Sequence, residues 1–100
     1  MESLIEALGD ATLAAPLIRT ALRHSHFKKR TFLYEFAYGT ERGDYPANLG
    51  CVHGDDLSYL FGAPLVPGMQ LSAFNSNFNK HETALSELVI SYIGNFIRSG

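Results

Sequence analysis

The sequence holds 100 residues, of which 46% are apolar and 18% charged, with a formal net charge of −2. That is ordinary globular composition for one small domain or a piece of a larger one, neither disordered nor fibrous. The mild acidic balance offers no basic face for nucleic acid, and no apolar run approaches the roughly 20 residues of a membrane span.

Leu4 to Leu8 is apolar-spaced and meets Gly9, which predicts a helical turn or two. Asp10 then stands where a helix N-cap belongs, with Leu13, Leu17, Ile18 and Ala21 following at helical spacing. Pro16 should start or strain that helix. Its end is expected near Arg23 to His26, where cations suit the C-terminal dipole. Met1-Glu2-Ser3-Leu4 has no basic stretch followed by an apolar one, so it does not read as a signal peptide. Lys28-Lys29-Arg30, beside His24 and His26, reads as a solvated turn rather than a binding patch.

Thr31 to Tyr38 is rich in aromatic residues and poor in charge, which predicts a largely buried strand. Phe32, Tyr34, Phe36 and Tyr38 could form a stacking platform, but without basic neighbours they read as core. Gly39 to Gly50 is a long loop by its glycines, Pro46 and Asn48, with Glu41 and Asp44 solvated. Cys51 is the only cysteine, which rules out an internal disulfide and any zinc spacing. It reads as a small apolar filler. Asp55 to Gly62 predicts a short helix with acids in its first turn and glycine at its end. Ala63 to Asn77 should be loop.

Asn79 can cap the last helix, and Glu82 three residues on can complete a capping box. Leu85, Leu88, Val89, Tyr92, Ile93, Phe96 and Ile97 then form one apolar stripe, and Arg98 closes the last turn. The order is helix, strand, loop, helix, loop, helix. One strand cannot make a sheet, so the pattern predicts a piece of an α/β protein, cut just after a helix end.

His53 is the residue that could carry chemistry. It follows a long loop and precedes an acid-led helix in Gly50-Cys51-Val52-His53-Gly54-Asp55-Asp56. An imidazole there can take a proton from a serine hydroxyl near neutral pH and return it later; it can equally cap the helix or bond within the loop. The sequence holds no Gly-x-Ser-x-Gly elbow, so no complete triad is expected within it. Asp55 and Asp56 are adjacent, point to different faces and read as helix N-terminal charges rather than an acid/base dyad. No cofactor-binding or metal-binding pattern is present.

The run from His53 through Gly54-Asp55-Asp56-Leu57-Ser58-Tyr59-Leu60-Phe61-Gly62-Ala63-Pro64 to Leu65 resembles the histidine segment of the cholinesterase and type-B carboxylesterase family. That segment reads roughly His-Gly-x-Glu-(apolar)-x-(aromatic)-(apolar)-Phe-Gly-x-Pro-(apolar). The family's triad base matches His53, and Asp56 falls where the family usually has Glu. Further blocks resemble the family in order: Asp10 to Pro16, Thr31 to Phe36, and Phe78 to Gly100. The resemblance implies the C-terminal portion of an α/β-hydrolase fold, over residues 1–100, with an incomplete sheet.

Within that family Gly50 to Gly54 and Asp56 to Leu65 look most like invertebrate neuroligins. These are single-pass synaptic adhesion proteins whose ectodomain keeps the hydrolase fold and usually lacks the nucleophilic serine. The resemblance implies a cell-surface location, a neurexin-type partner with calcium at that interface, and a homodimer through a helical bundle. The helix from Glu82 to Arg98 is similar to one such dimer helix, although its stripe would serve equally for packing on a sheet. The alternative is an active type-B carboxylesterase with His53 as general base; the isolated chain, lacking the serine elbow and the oxyanion-hole loop, is expected to hydrolyse no ester and to aggregate. Asn77-Phe78-Asn79 departs from the family's glycosylation sequon, and Ser58 replaces a frequent proline.

Overall fold

The computed structural model describes residues 1–27, 30–42, 45–66 and 77–100. They fall into two compact units, Met1–Glu35 and Phe36–Gly100. The solvated turn at Lys28-Lys29-Arg30, the tip of the loop at Gly43-Asp44 and most of the loop after Val66 lie partly or wholly outside the described residues.

Residues 2–25 of the first unit form one unbroken helix. Helix α1 (Glu2–Gly9) runs into a π-helical turn (Asp10–Ala14), which runs into α2 (Ala15–Ser25). The expected break at Gly9 and cap at Asp10 are therefore corrected. Both residues are right-handed helical, Gly9 at φ −59°, ψ −46° and Asp10 at φ −61°, ψ −45°. A glycine inside a helix costs about 1 kcal/mol relative to alanine, which weakens a helix without stopping it. Pro16 is absorbed by the π turn. Its ring would crowd the carbonyl four residues back, and widening the turn relieves that clash. Accordingly the Ala15 N–H reaches back five residues to the Asp10 carbonyl. The rod ends where expected, with Arg23 and His24 in the last turn of α2.

None of the described residues of this rod is buried; Leu4, Leu8, Leu17 and Leu22 each stay more than half exposed. Its apolar stripe forms as the spacing requires and stays largely exposed among the described residues.

The segment from Arg30 to Thr40 carries neither helix nor β-ladder. The strand expected over Thr31 to Tyr38 is not formed among the described residues. A strand is defined by a ladder of backbone hydrogen bonds to a neighbouring strand, and no such ladder forms among the described residues. Its aromatic residues divide. Phe32 and Tyr34 are exposed, whereas Phe36 and Tyr38 lie half-buried.

The second unit is built on α3 (Asp55–Leu60) and α4 (Lys80–Ser99), which pack together. A 3-10 turn at Ala47–Leu49 precedes them, and another at Ala63–Leu65 follows α3. Gly62 ends α3 as expected, in the left-handed conformation at φ +77°. Its N–H donates to the Tyr59 carbonyl at 3.2 Å. A Cβ on Gly62 would stand 3.5 Å from Ile90 Cδ1 and Leu65 Cδ1, which is ordinary contact. The cost of Gly62→Ala is therefore conformational, about 1 kcal/mol. A shift of that size in a denaturation midpoint is expected, and an unchanged midpoint would remove the backbone constraint as the reason for glycine there.

At α4 the capping box is complete. The Glu82 N–H donates to Asn79 Oδ1 at 2.9 Å, and the Asn79 N–H donates to Glu82 Oε2 at 2.7 Å. The predicted apolar stripe is split. Leu85, Val89 and Ile93 are half-buried, but Leu88, Tyr92, Phe96 and Ile97 are exposed. The most deeply buried positions of α4 are instead polar, Glu82 and Ser86. A stripe wider than the neighbouring short α3 cannot all be covered by it.

Candidate functional site

The described residues hold two places with chemistry in them: the His53 turn and a buried polar cluster in the same unit.

The turn is fixed by backbone geometry first. Val52 and Asp55 bond reciprocally around His53. The Asp55 N–H donates to the Val52 carbonyl at 3.0 Å, and the Val52 N–H donates to Asp55 Oδ2 at 2.8 Å. Gly54, at φ +93° and ψ −4°, takes the left-handed step that brings the chain into α3. The His53 side chain stands exposed. An exposed imidazole can exchange protons with a substrate or with water. Acyl transfer also needs a nucleophile and an oxyanion hole, and no serine elbow is present in the sequence.

Asp55 and Asp56 occupy the first turn of α3, as read from the sequence. Both are half-buried. Asp55 does more than bring charge, because its carboxylate closes the His53 turn. Cys51 is half-buried beside them. Burial, with the nearby carboxylates of Asp55 and Asp56, pushes its thiol pKa up, so it is no activated nucleophile.

The buried cluster centres on Tyr59 and Glu82, both fully removed from solvent. Tyr59 faces three rings, with centroid separations of 5.1 Å to Phe36, 6.0 Å to Tyr38 and 5.7 Å to Phe78. The last two are edge-on, the arrangement ring quadrupoles favour. Its hydroxyl lies 3.0 Å from Thr40 Oγ1, and its carbonyl accepts from Ser86 Oγ at 2.6 Å. Burial pushes the Tyr59 hydroxyl up to about 12, opposed by the Thr40 hydrogen bond and helped to a smaller extent by the nearby Glu82 carboxyl group. The Tyr38 hydroxyl is also raised, by burial and then by Glu82 and Glu41.

Glu82 ties three segments together. Oε2 accepts from the Asn79 N–H within α4's cap. Oε1 accepts from the Glu41 N–H at 3.0 Å and from the Tyr38 hydroxyl at 3.4 Å. Thus the Glu41 backbone is held although its side chain is exposed, as expected for a loop acid. Among the described residues no buried side-chain nitrogen or oxygen lacks a partner. With its oxygens so occupied, Glu82 serves as a structural anchor and not as a proton donor to substrate. The sequence signals its capping role through Asn79, but nothing local signals the long-range bonds to Glu41 and Tyr38, or the burial of Ser86.

Among the described residues no group of three or more His, Cys, Asp or Glu side chains could hold a metal ion. No helix among them is long and apolar enough to cross a membrane.

Comparison with known proteins agrees with the family resemblance. The chain is 31% identical to human Neuroligin-2 over 99% of its length and 31% identical to mouse Neuroligin-3 over 99%. It is 33% identical to Neuroligin-1 of Caenorhabditis elegans over 97% of its length. The chain spans 12%, 12% and 13% of those three relatives, respectively. No solved structure matches it. The family model described as "Carboxylesterase family" matches residues 1–100, and this chain belongs to that family, whose fold is the α/β hydrolase.

Proposed function

We propose that this chain is the C-terminal part of a neuroligin-like ectodomain that serves cell adhesion and is catalytically silent. The observation that carries this reading is the similarity to neuroligins along nearly the whole chain, at 31–33% identity. The exposed apolar face of the α1–α2 rod and the exposed Phe32, Leu33 and Tyr34 after Arg30 support its being a piece of a larger hydrolase domain. Both are elements that want a neighbouring layer. On this reading the whole protein sits at the cell surface and binds a neurexin-type partner, with calcium at that interface. It dimerises through the helix from Glu82 to Arg98. The exposed Leu88, Tyr92, Phe96 and Ile97 suit such a helix face. His53 is then a retained position without a reaction to serve.

The second reading is an active type-B carboxylesterase in which His53 is the general base. Its support is the histidine segment itself, which keeps the family pattern from His53 to Pro64 apart from Asp56 and Ser58 and leaves His53 exposed. One experiment separates the two. The longest transcript carrying this segment is sequenced, and its protein is assayed with an aryl ester and with a neurexin ectodomain, with and without calcium. Adhesion predicts calcium-dependent binding, no turnover and no effect of His53→Ala on binding. Turnover that falls by a factor of about a thousand or more in His53→Ala would establish the esterase instead.

A further inference from the structure

We infer that Asp55 is a positioning residue for His53, and not simply a negative charge at the start of α3. The inference goes beyond adhesion and does not need it, because the turn is built the same way whether His53 reacts or not.

Three observations converge on it. The reciprocal pair between Val52 and Asp55 brackets His53 on both sides, with bonds of 2.8 Å to the carboxylate and 3.0 Å between backbones. Asp55 is half-buried, so solvent competes less for its oxygens than on an open surface. Gly54 follows His53 in a left-handed conformation, φ +93°, that leaves the backbone one residue from a flexible hinge. A glycine beside an exposed histidine makes the histidine's direction soft. The Val52–Asp55 clamp removes that softness, because the peptide units on either side of His53 can no longer rotate independently.

A general N-terminal charge would behave differently. The helix dipole acts on Asp56 in the same turn, and either acid could supply it. Asp55 places an oxygen on the Val52 N–H, a bond that a dipole charge does not require. Asp55→Asn keeps an acceptor of the same shape without the charge, and Asp55→Ala removes both.

The test uses the longest folded protein carrying this segment, labelled on histidine rings. His24, His26 and His81 serve as references in the same spectra. In Asp55→Ala the His53 ring signals are expected to move toward motionally averaged positions, with the three reference signals in place. Exchange of the Val52 amide should quicken about tenfold. Asp55→Asn should retain most of the native His53 signature, and Asp56→Ala should leave it unchanged. The inference is overturned if Asp55→Ala leaves the His53 ring signals native, or if Asp56→Ala disturbs them as much. It is overturned too if Asp55→Asn disturbs them as fully as alanine does, since charge alone would then be responsible. Should Asp55→Ala not fold, the asparagine and Asp56 variants decide the matter by the same signals.

Discussion

Replacing Glu82 by alanine is expected to cost about 3–5 kcal/mol, among the largest losses from a single side chain of the second unit. The estimate follows from what is left behind. Glu82 is fully buried, and its oxygens accept from Asn79, Glu41 and Tyr38. Alanine removes all of these acceptors at once. Two backbone N–H groups then lose their partners in a region with little water, at about 1–3 kcal/mol for each unsatisfied group. The Tyr38 bond, at 3.4 Å, is long and adds little. The capping box also fails, and loss of a cap alone costs about 1 kcal/mol. Glutamine keeps the shape and one acceptor, so Glu82→Gln should cost less than half as much. Chemical denaturation reads the magnitude, and amide exchange at Asn79 and Glu41 locates it. A loss of only about 1 kcal/mol for alanine, equal to that for Asn79→Ala, would mean that the cap alone matters and that the bonds to Glu41 and Tyr38 are incidental.

Tyr59 is the second site of large effect, and its signature is a dependence on pH. Tyr59→Ala empties a fully buried aromatic position against Phe36, Tyr38 and Phe78, for which about 3–5 kcal/mol is expected. Tyr59→Phe keeps the ring and loses the hydroxyl's bond to Thr40, about 1 kcal/mol at neutral pH. The phenol ionises near 10 in an unfolded chain and at about 12 in the folded one. The folded state therefore holds the proton longer, and stability is full below pH 10 and lost as pH rises toward 12. Two units correspond to about 2.7 kcal/mol. Wild type should begin more stable than Tyr59→Phe and lose that lead above pH 10. The two curves should cross before pH 12. Parallel curves across that range would show that Tyr59 ionises as it does in water, and so is not buried as described.

The local punctuation of this chain was legible without any structure. Asn79 and Glu82 announce their reciprocal cap, because both partners lie within one turn. Asp55 and Gly62 mark the start and end of α3 for the same reason. The histidine segment gave the family, since its spacing around His53, Phe61, Gly62 and Pro64 is a pattern in sequence and needs no coordinates. Misreadings arose where a local signal was overruled. Gly9 and Asp10 look like punctuation, but apolar spacing continues through them and a π turn accommodates Pro16, so the helix runs on.

Tertiary structure alone decided the rest. Whether Thr31 to Tyr38 is a strand depends on a neighbour that no residue of the segment can encode by itself. Which of its rings become core was settled by Tyr59, which gathers Phe36 and Tyr38 and leaves Phe32 and Tyr34 exposed. Glu82 and Ser86 look like surface residues of an amphipathic helix. They are buried because their hydrogen-bond partners, the Glu41 N–H and the Tyr59 carbonyl, come from 41 and 27 residues away. Periodicity reports which residues share a face; only packing determines what that face meets, and burial of a polar group follows from the partner it finds there.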